Sequence, residues 1–194
     1  MHRRLLLIAG ILWTLVACTG PMDAPVMTVP AHETTSVPVA AGFSLTSTAF
    51  APDGMIPEVY TCRAEATGIS PPLAWTEPPP GTQSFALLVE DPDAGSTPFV
   101  HWVLFNLSPD LRALPENVPA GESLADGNRQ GQNSRRAARY DGPCPPRGIH
   151  RYIFTLYALD IRLDPSQVQD KSTLLSASKG HILAQATLIG RFGE

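Results

Sequence analysis

Gly142-Pro-Cys-Pro-Pro-Arg-Gly-Ile-His-Arg-Tyr-Ile-Phe-Thr-Leu-Tyr-Ala-Leu-Asp160 is a stiff Pro/Gly loop that runs straight into an apolar, β-prone stretch. Its aromatic and β-branched residues predict a strand over Tyr152–Leu159. His150 and Tyr152 stand at the junction. Residues at i and i+2 of a strand share a face, so an imidazole and a phenol are presented side by side under a loop with little freedom. That is a way to build a small polar pocket at the edge or mouth of a sheet.

Two further stretches repeat the construction. Phe85-Ala-Leu-Leu-Val-Glu-Asp-Pro-Asp93 is an apolar run that ends in carboxylates, and Pro98-Phe-Val-His-Trp-Val-Leu-Phe-Asn-Leu107 carries His101 near its start. Phe85–Val89 and Val100–Leu107 are apolar on both faces, which predicts central strands covered on both sides. Asp91, His101, His150 and Tyr152 therefore all fall at strand ends. Titratable groups in such places are more informative than the apolar residues beside them.

Around these strands the reading is coarser. Phe43–Phe50 reads as a first strand and Pro57–Thr61 as a short extended piece. Ser70–Trp75 reads as an edge strand because of Pro71 and Pro72. Leu111–Gly127 and most of Gly127–Gly148 read as loop, and loops this long in a compact domain are usually functional. Ser172–Lys179 fits a short helix closed by Gly180, with His181–Ala184 extending it after a kink, and Ala186–Phe192 reads as a final strand. The 20 prolines, 15 glycines and 16% charged residues suit many short strands and ordered turns better than a helical bundle. The expectation is a mainly β domain, mostly antiparallel, with one or two C-terminal helices.

The ends of the 194-residue chain read differently. Arg3 and Arg4 precede the apolar run Leu5–Thr14, which is the pattern of a secretory signal and too short to span a membrane. Leu15-Val16-Ala17-Cys18 resembles the lipobox of bacterial lipoproteins. By that resemblance residues 1–17 are removed and Cys18 carries lipid. Residues 18–42 are punctuated by proline and read as a semi-extended tether, roughly 25–30 Å end to end or more. Residues 43–194 form the domain. The expected location is the cell envelope, lipid-anchored on the extracytoplasmic side, facing the periplasm or the cell surface. Without Arg3 and Arg4 the 14 basic residues fall to 12 against 18 acidic ones. An acidic protein of this kind is a poor nucleic-acid binder, and none is expected as a partner. With Cys18 set aside, Cys62 and Cys144 remain. In an oxidising compartment an even pair suggests one disulfide, the alternative being two buried thiols. Neither lies in a short Cys-x-x-Cys or Cys-x-x-His spacing, so no metal is expected.

An ordered set of motifs spans nearly the whole domain. It runs from Tyr60-Thr-Cys62 through Ser70-Pro-Pro-Leu-Ala-Trp75, Pro79-Pro-Gly-Thr-Gln-Ser-Phe-Ala86, Asp91-Pro-Asp-Ala94, His101-Trp102 and Gly131-Gln-Asn133. It continues with Tyr140-Asp-Gly-Pro-Cys-Pro-Pro146, the His150–Asp160 run and Gly180-His-Ile-Leu-Ala184. This set resembles the phosphatidylethanolamine-binding protein family, in its bacterial Raf kinase inhibitor-like branch. The resemblance implies a large antiparallel Greek-key sheet packed on a smaller sheet, with helices near the C-terminus. It also implies a small pocket for phosphate-like groups, such as a phospholipid head group or a phosphorylated small molecule. Carried over by motif, its walls are Asp91, His101, Pro146, His150 and Tyr152, with Asp93 behind and Phe99 at the aromatic position often held by Trp in eukaryotic members. The loop between Pro146 and His150 is shorter than in those members. Their kinase-regulating role does not carry over to an exported chain.

Chemistry fits the assignment. His and Tyr donate to phosphate oxygens, and a carboxylate beside imidazoles favours their charged form. Six arginines and a single acid, Asp141, lie between Arg129 and Arg151, giving a local positive field. Arg135, Arg136 and Arg139 read as a solvated face or as a ligand patch. The functional expectation is an envelope-tethered binding protein for an anionic small ligand, with no cofactor and an envelope protein as a further partner. The alternatives are a hydrolase using the same Asp/His cluster and a protein–protein inhibitor module. Against a hydrolase, no Gly-x-Ser-x-Gly elbow and no His-Glu-x-x-His motif occurs.

Overall fold

A computed structural model describes residues 42–64, 68–124 and 127–194. The stretches read as signal peptide and tether, with Cys18, lie outside the described residues apart from Gly42. Eight strands and one helix follow in chain order: β1 Leu45–Thr46, β2 Leu73–Trp75, β3 Ser84–Asp91, β4 Phe99–Leu107, β5 Ala113–Leu114, β6 Arg129–Gly131, β7 Ile149–Leu159, α1 Lys171–Ser178 and β8 Ile182–Gly193. They form two sheets, ordered β1-β2-β5 and β6-β4-β3-β7-β8. Every pairing between named strands is antiparallel. In the larger sheet β3, β4 and β6 follow as neighbours and β7 returns to lie beside β3, which is a Greek-key order.

Alternation along β3 and β4 divides the core in two. Phe85, Leu87, Val89, Trp102 and Leu104 join Leu45, Leu73, Trp75 and Leu114 of the small sheet in one cluster. Ala86, Leu88, Val103 and Phe105 join Leu163, Val168 and Leu174 of α1 in the other. Period-two side chains feeding two clusters explain why these strands are apolar throughout. Trp75 packs edge-on to Phe85 at 5.4 Å between ring centroids, a contact between the two sheets.

Several boundaries differ from expectation, each for a physical reason. His181–Ala184 does not extend a helix. Gly180, at φ +82°, lets the chain leave α1, and from Ile182 the residues pair with β7. Ala184, Ala186, Leu188 and Phe192 alternate into the core, so period two wins and one short helix remains. Ser70–Trp75 does not form an edge strand. Its prolines precede the ladder, and Leu73–Trp75 pairs with β1 on one side and β5 on the other, at the centre of the small sheet. Phe43–Phe50 pairs only at Leu45–Thr46, and the piece expected over Pro57–Thr61 is a 3-10 turn at Glu58–Tyr60.

The long loops are ordered by buried polar side chains. Gln130, 3% exposed, accepts from Trp102 Nε1 at 2.6 Å and donates to the carbonyls of Pro119 and Gly121 at 2.9 and 2.8 Å. Gly142 passes so close to the Tyr60–Thr61 backbone that a Cβ would lie 2.8 Å from Thr61 Cα and Tyr60 O. Tyr140 Oη donates to Tyr60 O at 3.0 Å, Cys62 N to Pro143 O at 3.1 Å, and Cys62 is bonded to Cys144. The Pro/Gly loop is thus fastened to residues 60–62 before it enters β7.

Candidate functional site

Antiparallel order brings three distant segments to one end of the larger sheet. The end of β3 pairs with the start of β4, with Asp91 opposite Phe99, and Glu90 faces Ile153 of β7. Asp91, His101 and His150, far apart in sequence, line one cavity of about 200 Å³ together with Phe99, Arg135 and Asp141. Gly142, Cys144, Pro145 and Pro146 of the fastened loop form its other wall. The prolines and the disulfide make that wall stiff.

Asp91 does two jobs. One carboxylate oxygen accepts from Asp93 N at 2.8 Å and fixes the turn after β3. The other accepts from His150 Nδ1 at 2.7 Å, and both side chains are largely buried. Asp93 faces away. It takes three hydrogen bonds from Arg151, through the backbone N–H at 3.0 Å, Nε at 2.9 Å and an Nη at 2.7 Å. Those bonds lower its carboxyl to about 2. Asp93 therefore anchors the start of β7 and orients its neighbour His150.

His101 is 4% exposed. Its Nδ1 donates to Asp141 O at 2.6 Å, since a carbonyl can only accept. Its ring lies 4.7 Å from Phe99 and edge-on to Tyr152 at 5.2 Å, centroid to centroid. Burial lowers its pKa, outweighing the hydrogen bond to Asp141 and the nearby carboxylates, so His101 is neutral. Of the pair expected to hold one charged imidazole, His101 is not that one, because burial is the larger effect. Tyr152 is fully buried, and burial followed by the Asp91 charge pushes its phenol up. His101 Nε2 is buried without a hydrogen-bond partner, while the Tyr152 phenol lies beside the Asp91 carboxylate and the Cys144 backbone. An orphaned buried polar atom costs roughly 1–3 kcal/mol. One of them in the wall of a cavity marks a place where a bound molecule can supply what the protein does not.

The cavity gathers Asp91, Phe99, His101, Pro146 and His150, and Tyr152 packs on its His101 wall, while Asp93 stays behind. His181 pairs with Asp160 at 2.9 Å and belongs elsewhere. Two residues of the site were not singled out by the sequence reading. Asp141 stood only as the lone acid of an arginine-rich stretch, and Arg135 as one member of a run. Asp141 is placed by its backbone N–H, which donates to His101 O at 3.0 Å, and Arg135 by a turn. Asn133 Oδ1 accepts from Arg135 N and Ala137 N at 2.9 and 3.1 Å, and Arg136 adopts φ +59°. No periodicity in the sequence reports such a turn.

A two-sheet antiparallel β domain with a histidine–aspartate cavity at the end of its larger sheet is a binding-protein fold. The family model of the phosphatidylethanolamine-binding protein matches residues 46–193. A UPF0098 protein of Methanothermobacter thermautotrophicus is 48% identical over 149 residues, covering 77% of this chain and 97% of that one. A UPF0098 protein of Chlamydia pneumoniae is 40% identical over 153 residues, covering 76% and 97%. Among solved structures, the phosphatidylethanolamine-binding protein homolog CT736 of Chlamydia trachomatis superposes with TM-score 0.70 at 37% identity, covering 79% of this chain and 98% of that one. YbcL of E. coli, described as a member of the mammalian PEBP family, gives TM-score 0.71 at 26% identity, covering 79% and 99%. The chain belongs to the phosphatidylethanolamine-binding protein family.

Proposed function

We propose that this chain is an exported, membrane-tethered binding protein whose cavity captures a small anionic ligand of the phosphate type, such as a phospholipid head group or a phosphorylated small molecule. The observation that carries the reading is the buried, unpartnered His101 Nε2 in the cavity wall, beside the Asp91–His150 hydrogen bond. A cavity of about 200 Å³ suits a head group rather than an acyl chain. The reading is of a binder rather than a hydrolase. Cys144, at the cavity wall, is held in the disulfide and offers no thiolate nucleophile. That disulfide also supports an oxidising compartment, and hence export, with Cys18 as the lipid anchor. An envelope protein that reads the ligand-bound state is the corresponding partner.

The test is calorimetric titration of the full chain in detergent with phosphate, phosphoethanolamine and phosphoserine, repeated with His150→Ala. Loss of a charge-assisted bond weakens binding by roughly 1.5–3 kcal/mol. Equal affinity in the variant sinks the pocket assignment.

A further inference from the structure

Three larger clefts lie elsewhere on the domain, of about 450, 540 and 280 Å³. Gln130, Asp170 and Lys171 in the walls of the first two are already engaged: Gln130 bonds Trp102, Pro119 and Gly121, Asp170 caps α1, and Lys171 pairs with Glu90. The smaller cavity, by contrast, is lined by His101, whose Nε2 is buried without a partner.

Arg135 is the sole lysine or arginine among the described residues lining that cavity. It is held in place rather than splayed into solvent. Its Nε donates to Asp141 Oδ2 at 2.5 Å, and its guanidinium lies over the Phe99 ring at 5.8 Å. Phe99 in turn packs on His101, whose Nδ1 bonds the carbonyl of the same Asp141. One acidic residue therefore orients both the arginine and the histidine. With Nε engaged, the two Nη groups have no partner among the described residues, and this edge of a guanidinium matches two oxygens of one oxyanion. Neither Arg136 nor Arg139 lines the cavity.

The opposite wall has the reverse character. The ring of His101 is faced by the carboxylates of Asp91 and Asp141, the Arg135 guanidinium and the rings of Phe99 and Tyr152. Its hydrogen is fixed on Nδ1 by the Asp141 carbonyl, so buried Nε2 presents a lone pair and can only accept. The Asp91 carboxylate beside it is a second acceptor.

We propose that Arg135 is the anion-binding arm of this cavity and that His101 Nε2 accepts a hydrogen bond from the same ligand, so that the cavity selects a small oxyanion that still carries a donor over one that carries none. This rests on the anion-pocket reading above. Hydrogen phosphate belongs to the selected class, as does a phosphorylated molecule with an adjacent ammonium or hydroxyl. Sulfate and dimethyl phosphate do not.

The experiment titrates the full chain in detergent at neutral pH with inorganic phosphate, phosphoethanolamine, sulfate and dimethyl phosphate, then repeats phosphate with Arg135→Ala, Arg135→Lys and His150→Ala. Phosphate is expected to bind about tenfold or more tightly than sulfate, in line with the cost of an acceptor left unpaired. Arg135→Ala is expected to weaken phosphate binding roughly 10- to 150-fold. Arg135→Lys restores part of it, since one ammonium cannot hold Asp141 and two ligand oxygens at once. The Arg135 side chain is 61% exposed, so its loss leaves the melting temperature nearly unchanged. Should Arg135→Ala fail to fold, the phosphate–sulfate comparison on the unaltered chain decides. Equal binding of phosphate and sulfate overturns the inference. So does phosphate binding that Arg135→Ala leaves intact while His150→Ala abolishes it, and in both cases the pocket stands. Failure of every anion to bind the unaltered chain overturns the inference together with the reading beneath it.

Discussion

Removing the Cys62–Cys144 bond is the perturbation whose size follows most directly from the structure. The two cysteines are 82 residues apart in sequence. Closing a loop of that length removes chain entropy from the unfolded state of about 15 cal/mol/K, or about 4.5 kcal/mol at 25 °C. The native side changes little, because Cys62 N still donates to Pro143 O and Tyr140 Oη to Tyr60 O. The expected loss in Cys62→Ala/Cys144→Ala is therefore close to the full entropic value, a large part of a typical domain's stability of about 5–15 kcal/mol. For a domain of this size it corresponds to a fall in melting temperature of roughly 9–18 °C. Urea unfolding of the oxidised chain, the reduced chain and the double variant measures it. The slope against denaturant should rise once the unfolded chain is no longer cross-linked and exposes more surface. A loss below about 1 kcal/mol, or an unchanged slope, would refute the argument that the bond acts on the unfolded state.

Other outcomes test other parts of the description. Gly142→Ala places a methyl against the Tyr60–Thr61 backbone, which cannot rotate aside as a side chain can, so we expect a destabilisation at or above the usual 1–3 kcal/mol of overpacking, read by the urea midpoint. Asp93, held at about 2 by Arg151 against an ordinary value near 3.9, contributes stability that is present above pH ~4 and lost as pH falls toward 2. The stability gap between the unaltered chain and Asp93→Asn should close over that window, and a constant gap would reject the ion-pair account. Cys18→Ser should move the chain from the membrane to the soluble fraction in its own host, whereas unchanged fractionation would remove the lipid anchor from the proposal.

How far the sequence could be read depended on the range of the interaction behind each feature. The apolar runs of β3 and β4 were legible because burial on both faces imprints itself on consecutive residues, whereas β7 buries one face fully and the other only in part. Ser70–Trp75 was misjudged because proline reports on its own N–H and says nothing of how many partners the next three residues acquire. His181–Ala184 was misjudged because a four-residue apolar piece satisfies both helix and strand, and only pairing with β7 decides between them. Arg135, Arg136 and Arg139 look alike in sequence. An Asn133-centred turn sends the first toward the cavity and leaves the other two outside its walls.

From the sequence by itself came a mainly β domain, an exported and tethered reading of its ends, and a set of polar residues at strand ends. Each of those rests on local composition or on period-two alternation, which the chain carries wherever it folds. The family resemblance implied that Asp91, His101 and His150 share a pocket, but only the tertiary structure gave the strand order, β3 between β4 and β7, that brings them together. Only it decided that Cys62 and Cys144 are joined. Only it decided that His101 is neutral with an unpaired Nε2. Strand order, a bond across 82 residues and a desolvation penalty all depend on segments distant in sequence arriving at the same place, and no local pattern encodes that arrival.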